Sequence, residues 1–381
     1  MTDFLPYGRQ SVDEDDIQAV VEVLRSDFLT TGPAVARFEQ ALAAATGAEH
    51  TVAVNSGTSA LHAMYFAAGL GPGDEIITSP LTFAATANAA LYLGTTVKFV
   101  DVETDTGNLD PQLVAESLTE RTKLIVAVDF AGHPAEYDAL RELADRHGAI
   151  LVADAAHSLG ASYKDRPVGT LATATAVSFH PVKPVTTAEG GAVLTDDADL
   201  ARRARLFQTH GITRAQDEML DPDEGPWWYE QHHLGFNYRL TDVQAALGTS
   251  QMARLAHFIE RRREIARQYD AALASLSSLE LPGRRPYVDP GWHLYVIRVQ
   301  EAALRRPLFE ALRSRGLGVQ VHYLPVYYHP YYAQLGYQRG LAPIAEDFYA
   351  RAISLPIFPA MSDDDVSRVV EAVERSLREL A

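Results

Sequence analysis

Lys183 lies in the run Ser178-Phe179-His180-Pro181-Val182-Lys183-Pro184-Val185-Thr186-Thr187-Ala188-Glu189-Gly190-Gly191, one amine among small, hydroxyl and glycine residues directly after an apolar, β-like stretch. Such an amine can add to a carbonyl and form a Schiff base, the chemistry by which a lysine holds pyridoxal phosphate. That chemistry requires an anchored phosphate, a ring nitrogen kept protonated and a clamped ring. Asp154, in Ala153-Asp154-Ala155-Ala156-His157, is a candidate for the nitrogen, since a neighbouring carboxylate raises the pyridinium pKa. An aspartate at a strand end equally often just caps a turn. Asn55-Ser56-Gly57-Thr58-Ser59-Ala60-Leu61 offers the phosphate free amides and hydroxyls after a strand and before a helix, although Ser and Thr cap helices everywhere. Ser178 adds a hydroxyl. Phe83, in Pro80-Leu81-Thr82-Phe83-Ala84-Ala85-Thr86, can stack on a ring, but a lone Phe is more often core.

The elements that must hold these residues alternate. Short β-branched runs at 51–54, 75–78, 96–100, 123–128 and 149–153 are separated by helical stretches rich in Ala and Leu. This pattern predicts an α/β fold, a mainly parallel sheet between helices, with ligands beyond the carboxyl ends of the strands. Runs at 173–179 and 191–194 flank the lysine as strands of either direction. Ser11-Val12-Asp13-Glu14 reads as a capping box opening a helix with Ile17, Val20, Val21 and Leu24 on one face. A polar stretch from Thr213 to Gly225, including Pro222, predicts an exposed loop. Thr241-Asp242-Val243-Gln244 predicts a second capping box and one long helix through Met252, Leu255, Ile259 and Ile265 towards Tyr269. The domain boundary is placed there, giving a large domain over 1–250 and a small C-terminal domain over 251–381. The latter repeats strand-like (294–299) and helix-like (302–315) segments, then a Tyr- and Pro-rich loop (322–337), and ends in an amphipathic helix after Ser362.

The 381 residues, 47% of them apolar, provide for two cores. With 33 Lys and Arg against 50 Asp and Glu, the net charge of −17 disfavours nucleic acid or an anionic membrane as partner. The absence of cysteine removes disulfides and thiolate metal sites and fits a reducing compartment. With neither a signal-like start nor a membrane-length apolar run, the expected location is the cytoplasm. Gly69, Gly71 and Gly73 lack dinucleotide spacing and precede a strand, so they read as a turn. His232, His233 and Glu230 lack metal-site spacing, so no metal is expected. Arg261-Arg262-Arg263 reads as a solvated helix face.

Taken in order, the four motifs around Ser56, Phe83, Asp154 and Lys183 resemble the DegT/DnrJ/EryC1/StrS sugar aminotransferase family, as do Gly235-Phe236-Asn237-Tyr238-Arg239-Leu240 and Gln320-Val321-His322-Tyr323. The resemblance implies a fold-type-I transferase dependent on pyridoxal 5'-phosphate and a homodimer with shared active sites. It implies Lys183 as Schiff-base nucleophile and proton carrier, Asp154 at the ring nitrogen and His157 in support, where many members carry Gln. Phe83 would stack on the ring, Gly57, Thr58, Ser59 and Ser178 would hold the phosphate, and Asn237 would reach the neighbouring subunit. Tyr7, Asp27, Phe28, Leu29, Thr30, Asn237, His322 and Tyr323 are implied as substrate contacts. The dehydrating branch replaces the lysine with histidine, so Lys183 argues against that branch.

Within the family, Phe179 to Gly191 and Gln320 to Tyr327 are most similar to the aminotransferases of pseudaminic acid biosynthesis. That implies transfer from L-glutamate to C4 of a UDP-linked 4-keto-6-deoxy-N-acetylhexosamine. The rival readings are an aminotransferase for another ketosugar, dTDP- or GDP-linked and aminated at C3 or C4, and a non-catalytic cofactor-binding regulator.

Overall fold

The computed structural model describes residues 4–221 and 225–380; Pro222 of the expected loop and the first three residues lie outside the described residues. Seven strands form the central sheet: β1 (His50–Val54), β2 (Glu75–Thr78), β3 (Thr96–Phe99), β4 (Thr122–Val128), β5 (Ile150–Asp154), β6 (Ala174–Ser178) and β7 (Gly191–Thr195), in the order β1-β7-β6-β5-β4-β2-β3. All run the same way except β7, which is antiparallel to both neighbours. The two flanking runs, undecided in sequence, are therefore one parallel and one antiparallel strand.

Successive residues of each strand enter opposite cores. Ala53, Ile77, Ile125, Leu151 and Ala153 face one helical layer, and Val52, Val54, Ile76, Leu124 and Val152 face the other. A sheet covered on both faces selects apolar residues at every position, which is why these strands read as unbroken apolar runs. A third core gathers Leu5, Ile265, Tyr269, Leu273, Tyr295, Ile297, Leu312, Ile353 and Val373 around the antiparallel strands Leu279–Glu280, Tyr295–Val299 and Ala352–Leu355. The chain start joins it, since Leu5–Pro6 pairs with Leu317–Gly318.

Three expectations need correction. The first helix spans Glu14–Leu24 and is capped by Asp13, whose carboxylate accepts from the Asp16 amide at 3.1 Å while Asp16 accepts from the Asp13 amide at 3.1 Å. Its inward face carries Asp16 and Val23, because Arg254 and Gln251 hold the Asp16 carboxylate; Ile17 and Leu24 point outward, 48% and 57% exposed. The expected long helix is two, Asp242–Ala253 and Leu255–Leu273, broken at Arg254 with φ −107° and ψ 3°. The Thr241–Gln244 capping box is present. The arginine triplet is only partly solvated: Arg262 is 1% exposed. No helix among the described residues is long and apolar enough to cross a membrane.

Candidate active site

Val54 ends β1, Thr78 ends β2, Asp154 ends β5, Ser178 ends β6, and antiparallel β7 begins at Gly191 on that same edge. Five strand ends, joined to four connections, thus open onto one rim. There they line a cavity of about 460 Å³ with Ser56, Gly57, Thr58, Phe83, Asp154, His157, Ser178 and Lys183, to which the C-terminal part adds His293, His322 and Tyr323, and the chain start adds Tyr7.

The helix Gly57–Ala67 points its N-terminus at this cavity. Ser56 caps it by accepting from the Ser59 amide at 3.1 Å, which leaves the Gly57 and Thr58 amides for an anion. Ser59 itself does not line the cavity: its hydroxyl donates to Asn55 at 2.6 Å, so it supports the turn that Ser56 and Thr58 present. A Cβ on Gly57 would lie 2.8 Å from the Ser178 Cβ and 3.0 Å from its hydroxyl. Gly57→Ala is therefore expected to push Ser178 aside and weaken cofactor binding by about tenfold, for a clash on the order of 1–3 kcal/mol. Fluorescence titration of the cofactor-free protein checks this, and unchanged affinity refutes it.

Asp154 is buried; it accepts from the Thr86 hydroxyl at 2.6 Å and the Ala156 amide at 3.2 Å. Burial pushes its pKa up, against the pull of Thr86, Ala156 and Lys183. His157 shares a 3.0 Å hydrogen bond between Nε2 and the Tyr323 hydroxyl, while its buried Nδ1 has no partner among the described residues. Desolvation, with Lys183 and His322 adding to it, holds this imidazole neutral. Lys183 is half-buried because its end faces the cavity, yet its desolvated amine is lowered to about 8; Asp154 opposes that shift and Arg262 reinforces it. Phe83 is 64% exposed on the cavity wall, so it is a surface aromatic and no part of the core.

These residues fit pyridoxal phosphate: a helix N-terminus with two hydroxyls for the phosphate, a side-chain-free position at Gly57, a buried carboxylate, an orphaned His157 Nδ1 and an amine of lowered pKa. The chain has four lysines. Lys98 donates to the Ser117 carbonyl, Lys164 pairs with Asp138, Lys123 lies in β4, and Lys183 alone among them lines the cavity. Among the described residues no His, Asp and Glu cluster is suited to a metal.

Asp27, Phe28, Leu29, Thr30 and Asn237 do not line this cavity; all are exposed. The 27–30 loop is pinned elsewhere, with the Leu29 carbonyl accepting from Asp242 at 3.0 Å and Thr30 bridging to Thr241. Sequence reading missed Thr86, which holds Asp154, although the motif containing it was noted. It also missed His293, whose ring centroid lies 4.3 Å from that of His157. His293 is in an unremarkable loop with no sequence signal.

The DegT/DnrJ/EryC1/StrS aminotransferase family model matches residues 10–374. The Bacillus subtilis spore coat polysaccharide biosynthesis protein SpsC is 42% identical over 375 residues, 97% of this chain and 96% of that protein. Helicobacter pylori PseC, an aminotransferase involved in the biosynthesis of pseudoaminic acid, has a structure similar at TM-score 0.92 and 34% identity, over 99% of this chain and 100% of that one. The PLP-form of Spr1654 from Streptococcus pneumoniae, described as a sugar aminotransferase, is similar at TM-score 0.93 and 29% identity, over 99% and 100%.

Proposed function

The chain belongs to the DegT/DnrJ/EryC1/StrS aminotransferase family and is a pyridoxal phosphate-dependent sugar aminotransferase; from that premise we propose that it moves an amino group from L-glutamate to C4 of a UDP-linked 4-keto-6-deoxy-N-acetylhexosamine. The observation that carries this reading is the meeting of Lys183, Asp154 and His157 in one cavity. The choice of sugar is supported by the likeness to PseC along the whole chain.

Bound in this cavity, the cofactor supplies an electron sink for the carbon that loses a proton. The Gly57 and Thr58 amides with the Thr58 and Ser178 hydroxyls would hold its phosphate, and Asp154 would keep its ring nitrogen protonated. Phe83 would pack against it, and the unpartnered His157 Nδ1 would offer it a hydrogen bond. Lys183, poised near neutrality, takes the proton from the donor's Cα and delivers one to sugar C4. Tyr7, His322 and Tyr323 form the wall nearest the sugar.

The enzyme acts as a homodimer, with Asn237 and the 27–30 loop serving the neighbouring cavity. Outward-facing Phe28, Leu29, Trp227, Leu234 and Phe236 support such an interface. The rival reading is a different nucleotide-linked ketosugar, since SpsC, 42% identical, is a protein of spore coat polysaccharide biosynthesis.

Incubation with glutamate and a panel of UDP-, dTDP- and GDP-linked 4-keto and 3-keto sugars, read by mass spectrometry, separates these. The UDP-linked 4-keto N-acetylhexosamine is expected to be converted fastest. Preference for an unacetylated dTDP-sugar would overturn the assignment and leave the aminotransferase reading standing.

A further inference from the structure

Arg262 lies behind the cavity on the helix Leu255–Leu273, 1% exposed. Its Nη1 donates to the carbonyls of Ile357 at 2.9 Å, Trp292 at 3.1 Å and His293 at 3.4 Å, and its Nη2 reaches the carbonyl of Val182, the residue before Lys183, at 3.4 Å. Its neighbours Arg261 and Arg263 pair with Glu264, Asp363 and Asp289. No carboxylate among the described residues pairs with Arg262, and its Nε has no partner. A buried guanidinium with only carbonyls around it is expensive to keep, and neutral donors would satisfy the same carbonyls. The charge therefore has a use beyond bonding.

We propose that Arg262 is the positioning residue of Lys183: it ties the lysine loop to the C-terminal part through Val182, and its uncompensated charge keeps a second positive charge off the Lys183 amine. This rests on the proposed role of Lys183 as nucleophile. The groups around that amine are Asp154, which favours the charged form, and Arg262, His157, His293 and His322, which do not. The three imidazoles are all held neutral, chiefly by burial, and burial lowers the Arg262 guanidinium only to about 10, so near pH 8 Arg262 is the one cation among them.

The test titrates the amine directly. Full-length protein freed of cofactor is acetylated with trace acetic anhydride across pH, and the four lysine peptides are quantified by mass spectrometry, the other three serving as controls. The wild-type Lys183 midpoint is expected at about 8. Arg262→Gln, which removes the charge and leaves a shorter neutral amide in its place, is expected to raise it by on the order of one pH unit, and Arg262→Lys to return it towards the wild-type value. A wild-type midpoint at the ordinary lysine value of about 10.4 overturns the proposal whether or not the variants fold, and so do equal midpoints in folded Gln and Lys variants. Borohydride reduction of the holoenzyme separately reports which lysine holds the cofactor, so failure of that reading is seen apart from failure of this one.

Discussion

Lys183→Ala is expected to abolish turnover, lowering kcat by at least about 10³-fold, since positioned proton transfer alone contributes about 10²–10⁴-fold. No other lysine lines the cavity, so none can take over the proton. The variant is also expected to hold the cofactor without a covalent bond: borohydride followed by denaturing filtration retains cofactor on wild type and releases it from the variant. The proposed phosphate seat at Gly57, Thr58 and Ser178 is untouched, so reversible binding is expected to persist. Turnover within tenfold of wild type would remove Lys183 from the mechanism.

Asp154→Asn is expected to be the second most damaging change. Asparagine keeps partners for Thr86 and Ala156 and removes only the charge. Removing one preorganised electrostatic partner from a site costs about 2.7–4 kcal/mol of catalysis, so kcat should fall by roughly two to three orders of magnitude. Stability should move the other way. The folded pKa of Asp154 is raised above its unfolded value, so its ionisation weakens the cofactor-free fold as pH rises through that interval and keeps it weaker above. At neutral pH the cofactor-free Asn variant should therefore melt no lower than wild type. Equal activity in wild type and variant would refute the role of the carboxylate, whereas lower activity with a much lower melting point would make it merely structural.

The sheet and the core of the site were legible in sequence for a single reason: strands buried on both faces read as apolar runs, and chemistry gathers where those runs end. Asp154 closes such a run, and Lys183 comes a few residues after the next. Arg262 was misread because its two arginine neighbours suggested a wet face. Yet Phe258, Ile259, Arg262, Ile265, Ala266 and Tyr269 are all buried at spacings of one, three or four, so the helical period already placed Arg262 on the inner stripe. The first helix failed in the opposite sense: Ile17 and Leu24 stand exposed beside Glu14, Gln18 and Glu22, while Asp16, held by Arg254 and Gln251, turns inward with Val23. Thr86 and His293 act on residues far away in sequence, and no local pattern announces such a meeting.

Lys183 sits between β6 and β7, which pair antiparallel and adjacent, with Ser178 opposite Gly191. The amine is thus carried by the loop joining one antiparallel pair, while what surrounds it arrives from strand ends and loops scattered from Tyr7 to Tyr323. Location and environment are built by different parts of the chain, and substitutions in the walls at Tyr7, His322 or Tyr323 leave the loop that carries Lys183 as it is.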